Sequence, residues 1–272
     1  MRGAIIGDVV GSRFEFDRSP KVKEFYLFNE ESSYTDDSIM TVAVADAIMS
    51  AGEDATEFEY KRLFEESFKK WFSYLPEAGH GLGGWGCMFY KWLTGAVSGP
   101  YGSFGNGSAM RVSPIGWAFN SLQRTRDVAR WSAEVTHNHP EGVKGAEAVA
   151  TIIYMLRNGQ KDKDYIRQYV TEEFGYDLSR TCDEIRPGYH HVETCQETVP
   201  EAITAFLEGD SFEDVLRTAV SLGGDCDTLT DIACSMAEAC YPIPYGIWEV
   251  CEQLLDDRMA DVVTRFENFI GK

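Results

Sequence analysis

Two short stretches of the chain combine hydroxyl groups with paired carboxylates. The first reads Thr35-Asp36-Asp37-Ser38, and the second reads Asp225-Cys226-Asp227-Thr228. Each stretch directly precedes an apolar segment with the composition of a buried helix. If the two helix N-termini face each other, their side chains form a cage of oxygen donors, which are the ligands that Mg²⁺, Mn²⁺ and Ca²⁺ prefer.

The helices that must position these carboxylates are visible in the apolar periodicity. A short side-chain oxygen can accept a hydrogen bond from an unpaired N–H group in the first turn, so Thr35 or Asp36 is expected to cap the first helix. The pattern predicts further helices along the whole chain and almost no strands. The predicted segments are 38–50, 56–73, 86–94, 125–136, 141–157, 162–172, 197–207, 211–221, 228–240, 246–255 and 257–269. Because no linker or fixed repeat interrupts them, we predict one all-α domain over residues 1–272.

Composition and charge narrow the class of protein. The 272 residues are 44% hydrophobic and carry a net charge of −19, which makes phosphate backbones and anionic membranes unfavourable partners. No apolar run is long enough to span a bilayer. The seven cysteines are odd in number and contain no C-x-x-C pair, which is typical of reduced thiols and predicts a cytoplasmic protein.

Three stretches are predicted to be non-helical loops, at residues 78–86, 99–111 and 181–195. The first two are rich in glycine, which allows the backbone to approach a ligand closely, and successive N–H groups of such loops bind phosphate oxygens. A long connection between helices is the simpler alternative. The third loop contains Cys182, His190, His191 and Cys195, which a zinc site would use, although their spacing matches no common zinc motif; a substrate-facing loop is the preferred interpretation.

Three other features have two interpretations each. Glycines at about one helical turn from each other in residues 3–12 indicate close helix packing, or else a phosphate loop, for which the following Lys-Ser/Thr is missing. Glu15, between two phenylalanines, is either a surface carboxylate or a pocket carboxylate with a chemical task. His137 is either a helix C-terminal imidazole or a ligand contact.

Four motifs, taken together and in order, resemble those of the ADP-ribosylglycohydrolases. They are residues 7–12, 35–38, 105–111 and 223–228, and the resemblance extends from about residue 3 to residue 244. It implies a compact all-α domain with two Mg²⁺ or Mn²⁺ ions in a central cleft. It also implies a hydrolase that releases ADP-ribose from an acceptor, which is a protein side chain such as arginine or serine, or a small ADP-ribose derivative.

The resemblance assigns roles to individual positions. The residues that match the metal ligands of the family are Thr35, Asp36, Asp37, Asp225, Asp227 and Thr228. Glu15 matches a glutamate implicated in catalysis in some members, and Asp36 or Asp37 could orient or deprotonate the attacking water. The residues that match the ADP-ribose-binding positions are Gly102, Ser103, Phe104, Gly105, Asn106 and His137, with an aromatic ring available to stack on adenine.

Two positions depart from the family pattern. Ser38 stands where the family usually has threonine, and Cys226 stands where it often has a small or hydroxyl residue; a thiol there could tune the site or make it sensitive to oxidation. Three alternatives to an ADP-ribosyl hydrolase remain. They are a non-catalytic ADP-ribose-binding protein, a structural member with degraded metal motifs, and a metal-dependent hydrolase of another phosphorylated nucleoside.

Overall fold

The structure of the protein, a computed structural model, describes residues 1–52, 54–75 and 84–271. These residues form fifteen α-helices, one short 3₁₀ helix and no strand longer than an isolated bridge between Gly105 and Thr194. The α-helices are α1 (Arg2–Gly11), α2 (Asp36–Ala51), α3 (Glu57–Tyr74), α4 (Cys87–Leu93), α5 (Gly107–Met110), α6 (Ser113–Ala118), α7 (Leu122–Glu134), α8 (Pro140–Arg157), α9 (Lys163–Phe174), α10 (Cys182–Ile185), α11 (Cys195–Glu208), α12 (Phe212–Leu222), α13 (Cys226–Cys240), α14 (Tyr245–Glu252) and α15 (Asp257–Phe269).

Helix α13 lies at the centre of the fold. It packs against α1, α8, α11 and α12, and almost all of its residues are buried. Helix α2 is buried over most of its length as well, and packs against α1, α3 and α15. The two helices whose N-termini carry the paired carboxylates are therefore fixed from several sides by the hydrophobic core.

Three glycines of α1 allow α1 and α13 to approach very closely. A Cβ atom at Gly3, Gly7 or Gly11 would lie 2.2, 2.4 or 2.7 Å from the nearest backbone atom of α13, which is closer than real Cβ atoms come. Glycine at helical spacing thus serves helix packing, in agreement with the first interpretation of these residues. The contact brings Asp8 of α1 to the start of α13.

The prediction of an all-α fold is confirmed, and the longer helices lie close to the predicted segments. Two predicted loops are partly wrong, because residues 99–111 contain α5 and residues 181–195 contain α10. Thr181 and Glu184 form a capping box at the start of α10, a local signal that identifies a helix too short to show periodicity. Residues 78–83 of the first predicted loop lie outside the described residues.

Helix α6 was not predicted at all, for the same reason of length, although Pro114 near its start favours helix initiation. No described helix combines the length and the apolar character that crossing a bilayer requires.

Candidate active site

The N-termini of α2 and α13 open into the same cavity, which has a volume of about 490 Å³. The prediction that the two carboxylate motifs face each other is therefore consistent with the structure. Carboxylates form one part of the cavity wall, and the glycine-rich segment before α5 forms another part. Among the residues that line it are Glu15, Asp36, Asp37, Trp85, Phe89, Tyr101, Ser103, Gly105, Asn106, Arg111, His137, Glu193, Asp225, Asp227 and Thr228.

Asp8 holds the N-terminus of α2 in place. Its Oδ2 atom accepts hydrogen bonds from the backbone N–H groups of Thr35 and Ser38, at 2.9 and 3.1 Å, and from the Ser38 hydroxyl. Its Oδ1 atom accepts a hydrogen bond from the Thr35 hydroxyl at 2.7 Å. Since Asp8 is completely buried, these four bonds are the way in which its carboxylate is satisfied within the described residues.

Carboxylates of the cavity and the buried Asp8 beside it form two close groups that share one residue. In the first group, oxygen atoms of Asp8, Asp37 and Asp227 lie within 4.8 Å of one another. In the second group, the same holds for Glu15, Asp225 and Asp227. Asp227 belongs to both groups, so it lies between them.

Burial and like charges disfavour ionisation of these side chains. Burial, followed by the neighbouring charges of Asp225 and Asp37, raises the pKa of Asp227 well above its usual value. Burial and the charges of Asp36 and Asp8 do the same for the pKa of Asp37. Burial and the charge of Asp225 raise the pKa of Glu15 to about 7. A carboxylate cluster of this kind needs either protons or cations to balance its charge.

The donor set fits hard divalent cations. All ligand atoms of both groups are carboxylate oxygens, which Mg²⁺ and Mn²⁺ prefer over nitrogen or sulfur. The Oδ1 atom of Asp37 is buried and has no hydrogen-bond partner in the described part of the chain, so it is available as a ligand.

The glycine-rich segment is tied directly to the carboxylates of the cavity. The Asn106 side-chain amide donates hydrogen bonds to Asp225 Oδ2 at 2.6 Å and to the Thr198 hydroxyl at 3.1 Å. The backbone N–H group of Asn106 donates to the carbonyl of Glu193 at 2.9 Å. Asn106 thereby orients Asp225 and connects three distant parts of the sequence.

Aromatic rings and a buried cation surround His137. The imidazole centroid lies 6.0 Å from the ring of Tyr101 and 6.4 Å from the ring of Phe89. Arg111, which is completely buried, donates a hydrogen bond to the hydroxyl of Thr136, the residue preceding His137. Burial and the charge of Arg111 lower the pKa of His137 well below its usual value, so its imidazole is neutral at pH 7.

At the rim of the cavity, the segment preceding α11 meets the segment after α1. His191 Nε2 lies 3.0 Å from Glu193 Oε1, and its ring packs against Phe16 at a centroid distance of 5.0 Å. The hydrogen bond to Glu193 raises the pKa of His191 to about 9, so His191 is positively charged at neutral pH. The predicted substrate-facing loop thus contributes a charged pair beside Glu15.

The structure places most of the sequence-predicted site residues at the cavity, in different positions. Asp37, Asp225, Asp227 and Glu15 come together in the two carboxylate groups, while Asp36 and Thr228 line the same cavity outside these groups. Thr35 caps α2, and its hydroxyl is bonded to Asp8 and lies 3.3 Å from Asp37 Oδ2. Ser103, Gly105, Asn106 and His137 line the cavity.

Gly102 and Phe104 are not among the residues that line this cavity. The Gly102 N–H group donates to Asn138 Oδ1, and the Phe104 ring is 44% exposed and packs edge-on against His139. The role of Phe104 in stacking on adenine stays a prediction.

Sequence reasoning assigned no role to Asp8, Arg111 or Glu193. A signal existed for Asp8, because it is the one acidic residue in a helix of mainly small and apolar residues. Arg111 sits within a quoted motif, but its burial depends on packing between Phe68 and Phe89, which spacing does not reveal.

The interpretations based on cysteine find no support in the structure. None of Cys182, His190, His191 and Cys195 belongs to either group of potential metal ligands found in the described residues. The Cys226 thiol packs against Thr230 and the carbonyl of Val220 and does not line the cavity. Burial raises its pKa to about 12, which disfavours the thiolate that oxidation requires.

The helical fold is that of a known enzyme family. The chain matches the ADP-ribosylglycohydrolase family over residues 1–268 and belongs to this family. The resemblance predicted from four motifs is therefore confirmed, and the protein is a hydrolase of a glycosidic bond to ADP-ribose.

Individual relatives have a low sequence identity to this chain. ADP-ribosylhydrolase ARH3 of Mus musculus is 26% identical over 93% of this chain and 86% of its own length. ADP-ribosylarginine hydrolase Tri1 of Serratia proteamaculans is 24% identical over 88% of this chain and 69% of its own length. A solved ADP-ribosylglycohydrolase-related protein complex is similar in fold, with a TM-score of 0.72 and 23% identity over 98% of this chain and 95% of that one.

Proposed function

We propose that the protein hydrolyses the bond between C1″ of ADP-ribose and a nitrogen or oxygen of an acceptor, in a reaction that requires Mg²⁺ or Mn²⁺. One observation carries this proposal. Two carboxylate groups that share Asp227 lie at a cavity whose wall also contains the glycine-rich segment and His137. The carboxylates suit cations and the developing positive charge of a ribose, and the glycine-rich segment suits an anionic pyrophosphate.

Two cations are proposed, one for each carboxylate group. Asp37 and Asp227, with Asp8 close by, would hold one, and Asp225 and Asp227, with Glu15 close by, would hold the other. The hydroxyls of Thr35 and Thr228 and the carboxylate of Asp36 are the remaining candidate ligands near these carboxylates. A bound divalent cation would supply Lewis-acid chemistry and lower the pKa of a water molecule that it binds.

Glu15 is proposed as the general base. Its carboxylate lies in the cavity beside Asp225 and Asp227, within reach of a water molecule at the proposed cation sites, and a carboxylate in this position can accept a proton from that water. The water oxygen bonds to the anomeric carbon, the bond from that carbon to the acceptor breaks, and the proton that Glu15 takes from the water is the one that the leaving acceptor gains. Asp36 and Asp37 line the same cavity and can orient the water or stabilise the positive ribose.

The glycine-rich segment that lines the cavity is proposed to bind the rest of ADP-ribose. Ser103, Gly105 and Asn106 present small side chains and backbone groups, and a glycine-rich segment of this kind brings N–H groups close to phosphate oxygens. Tyr101 and Phe89 add aromatic surface next to His137. These groups allow a chain with a net charge of −19 to bind an anionic ligand.

The acceptor and the compartment are proposed from the net charge and the cysteines of the chain. We propose a protein side chain such as arginine or serine, or a small ADP-ribose derivative, as the acceptor, because the acidic surface disfavours nucleic acid. Seven cysteines that form no disulfide are consistent with the cytoplasm as the compartment.

The test is hydrolysis of ADP-ribosyl-arginine, ADP-ribosyl-serine and O-acetyl-ADP-ribose in EDTA, Mg²⁺ and Mn²⁺, with released ADP-ribose measured by chromatography. We expect release from at least one substrate, dependent on the metal. Asp227→Asn, which keeps the shape of the side chain and removes its charge, serves as the matched inactive control.

The alternatives give different results. Binding of ADP-ribose without release from any substrate would identify a non-catalytic binding protein. Neither binding nor release would point to another phosphorylated nucleoside and would refute the proposed function.

A further inference from the structure

We propose that Thr136, held by Arg111, is a positioning residue that fixes the His137 imidazole in the form that carries its proton on Nε2 and points that N–H group at an oxygen of ADP-ribose. The binding half of this inference rests on the proposed function. The half that concerns the proton can be tested on the protein without any ligand.

The argument begins with Arg111, whose position is unusual for a charged side chain. Arg111 is completely buried between aromatic rings, with its guanidinium carbon 4.4 Å from the centre of the Phe68 ring. Its Nη2 atom donates hydrogen bonds to the Ser132 carbonyl at 2.8 Å and to the Thr136 hydroxyl oxygen at 3.0 Å. The Nε and Nη1 atoms are buried without a hydrogen-bond partner in the described part of the chain, so the two bonds of Nη2 are the ones that hold this guanidinium.

The second step concerns the hydroxyl proton of Thr136. Arg111 can only donate, so the Thr136 oxygen acts as an acceptor in that bond and its own proton remains available. The Thr136 oxygen lies 2.7 Å from His137 Nδ1, and Thr136 is completely buried. The Tyr101 hydroxyl is a further hydrogen-bond partner of the Thr136 side chain. When Tyr101 and Arg111 both donate to the Thr136 oxygen, its two lone pairs are occupied, so the Thr136 proton goes to Nδ1, which is then unprotonated.

The third step concerns the other ring nitrogen. Since the imidazole is neutral, an unprotonated Nδ1 requires an N–H group at Nε2. Gly105 and Gly107 flank Nε2: a Cβ atom at these positions would lie 3.5 and 3.3 Å from it. The absence of side chains at both positions leaves Nε2 accessible from the cavity that His137 lines.

The ligand group that this arrangement suits is an oxygen acceptor. The Nε2–H group is a donor, and the Arg111 cation behind Thr136 makes the local potential positive. A pyrophosphate oxygen of ADP-ribose matches both properties, whereas a donor group of a ligand would face a second donor. The roles of Thr136 and Arg111 are therefore indirect, because each acts on the ligand only through His137.

The test compares Thr136→Val, which removes the hydroxyl at nearly constant shape, with Thr136→Ser, which keeps it. Long-range ¹H–¹⁵N NMR spectra of the ligand-free protein report which ring nitrogen carries the proton. The chain contains five histidines, and the spectrum of His137→Gln identifies the signal of interest. We expect the Nε2–H form in the wild type and in Thr136→Ser, and a mixture of both forms in Thr136→Val.

Calorimetry with ADP-ribose supplies the second measurement. Loss of one buried hydrogen bond corresponds to a Kd about tenfold higher for Thr136→Val. With a cleavable substrate, KM should rise while kcat changes little, since the lost contact is present in ground and transition states alike. Thr136→Ser should restore most of the affinity.

Several outcomes would overturn the inference. A wild-type His137 that carries its proton on Nδ1, or a Thr136→Val variant with the wild-type proton distribution and Kd, would refute it. If valine prevents folding, Thr136→Ala removes the same hydroxyl without adding volume, and the same criteria apply. Arg111→Met tests the buried cation: an unchanged proton distribution in this variant would refute the part assigned to Arg111.

The proposed function could fail separately. A wild type that neither binds ADP-ribose nor cleaves any substrate would refute the function and the ligand assignment, whereas the NMR result would still decide the role of Thr136.

Discussion

Asp227 is the side chain on which both proposed cation sites depend, because it belongs to both carboxylate groups. Replacing it by asparagine removes one negative charge and keeps the shape of the side chain. We expect kcat to fall by about 10²–10⁴-fold, since several kcal/mol of cation-assisted stabilisation would be lost. Turnover of the best substrate in Mg²⁺ measures this effect.

The same substitution should stabilise the metal-free protein. Burial and like charges raise the pKa of Asp227, so its carboxylate is unfavourable in the fold when no cation is present. Recovery of about 1 kcal/mol would raise the melting temperature in EDTA by about 2–4 °C for a chain of this size. Asp210→Asn, the same change on an exposed side chain, is the control. A lower melting temperature for Asp227→Asn in EDTA would contradict the repulsion argument.

Glu15 makes the stability of the protein depend on pH, and its raised pKa determines the direction of this dependence. Its pKa is raised from 4.5 to about 7 in the fold, so the native state binds more protons than the unfolded state between these values. Its contribution to stability is therefore present below about pH 4.5 and is lost as the pH rises through about 7. We expect the melting temperature of the metal-free protein to fall over this range, partly because of Glu15.

Glu15→Gln isolates this contribution. The buried aspartates have raised pKa values and change stability in the same direction, so the variant should keep a decrease with pH but a smaller one. Thermal melts of both proteins at pH 5, 6, 7 and 8 in EDTA measure the pH dependence of the melting temperature. An identical pH profile for Glu15→Gln and the wild type would show that Glu15 is not perturbed as described.

At the scale of elements, the packing of α1 on α13 determines where the carboxylates lie. Gly7 precedes Asp8, and a Cβ atom at Gly7 would lie 2.4 Å from the carbonyl oxygen of Thr230. Gly7→Ala therefore forces the two helices apart and shifts Asp8 relative to Asp227. We expect a loss of about 1–3 kcal/mol of stability, as for other overpacked cores, together with reduced turnover.

Gly246→Ala is the matched control for this substitution. Gly246 lies within α14, and a Cβ atom there has no neighbour within 4 Å. Alanine should stabilise this helix by roughly 0.5–1 kcal/mol, because glycine is the poorer helix former. Urea unfolding of both variants measures the difference. Equal effects of the two substitutions would show that helix propensity, and not helix contact, determines the role of Gly7.

The elements also show where sequence reasoning succeeds and where it fails. Helices α2 and α13 were predictable because a hydroxyl or carboxylate residue precedes a long apolar segment, and Thr35 indeed caps α2. Helices α5, α6 and α10 were not, because four to six residues contain too little periodicity. The hydrogen bonds of Asp8 to the start of α2 join two elements, and no pattern within one segment can reveal them.

At the scale of the whole molecule, the site is assembled from distant parts of the chain. Asp8 and Glu15 come from the beginning, Asn106 and His137 from the middle, and Asp227 from the last fifth. Motifs in the right order could predict the carboxylate groups, since each motif is a short local pattern. The Arg111–Thr136–His137 arrangement could not be predicted, because it depends on the burial of Arg111 among aromatic rings.

This assembly makes cation binding a property of global folding. Any unfolding that separates α1, α2 and α13 also removes both carboxylate groups, so the unfolded chain should bind Mg²⁺ only weakly. Binding to the native state alone adds about 2.7 kcal/mol at a free cation concentration of 100 times Kd. We expect the urea midpoint to rise with Mg²⁺ at a constant m-value, because the surface exposed on unfolding stays the same.

Urea unfolding followed by circular dichroism in EDTA and in a series of Mg²⁺ concentrations measures both quantities, with Asp227→Asn as the variant that should lose the shift. A changed m-value would instead mean that the cation orders a part of the chain that is unfolded without it, and an unchanged midpoint would mean that the carboxylate groups hold no Mg²⁺ in the folded protein.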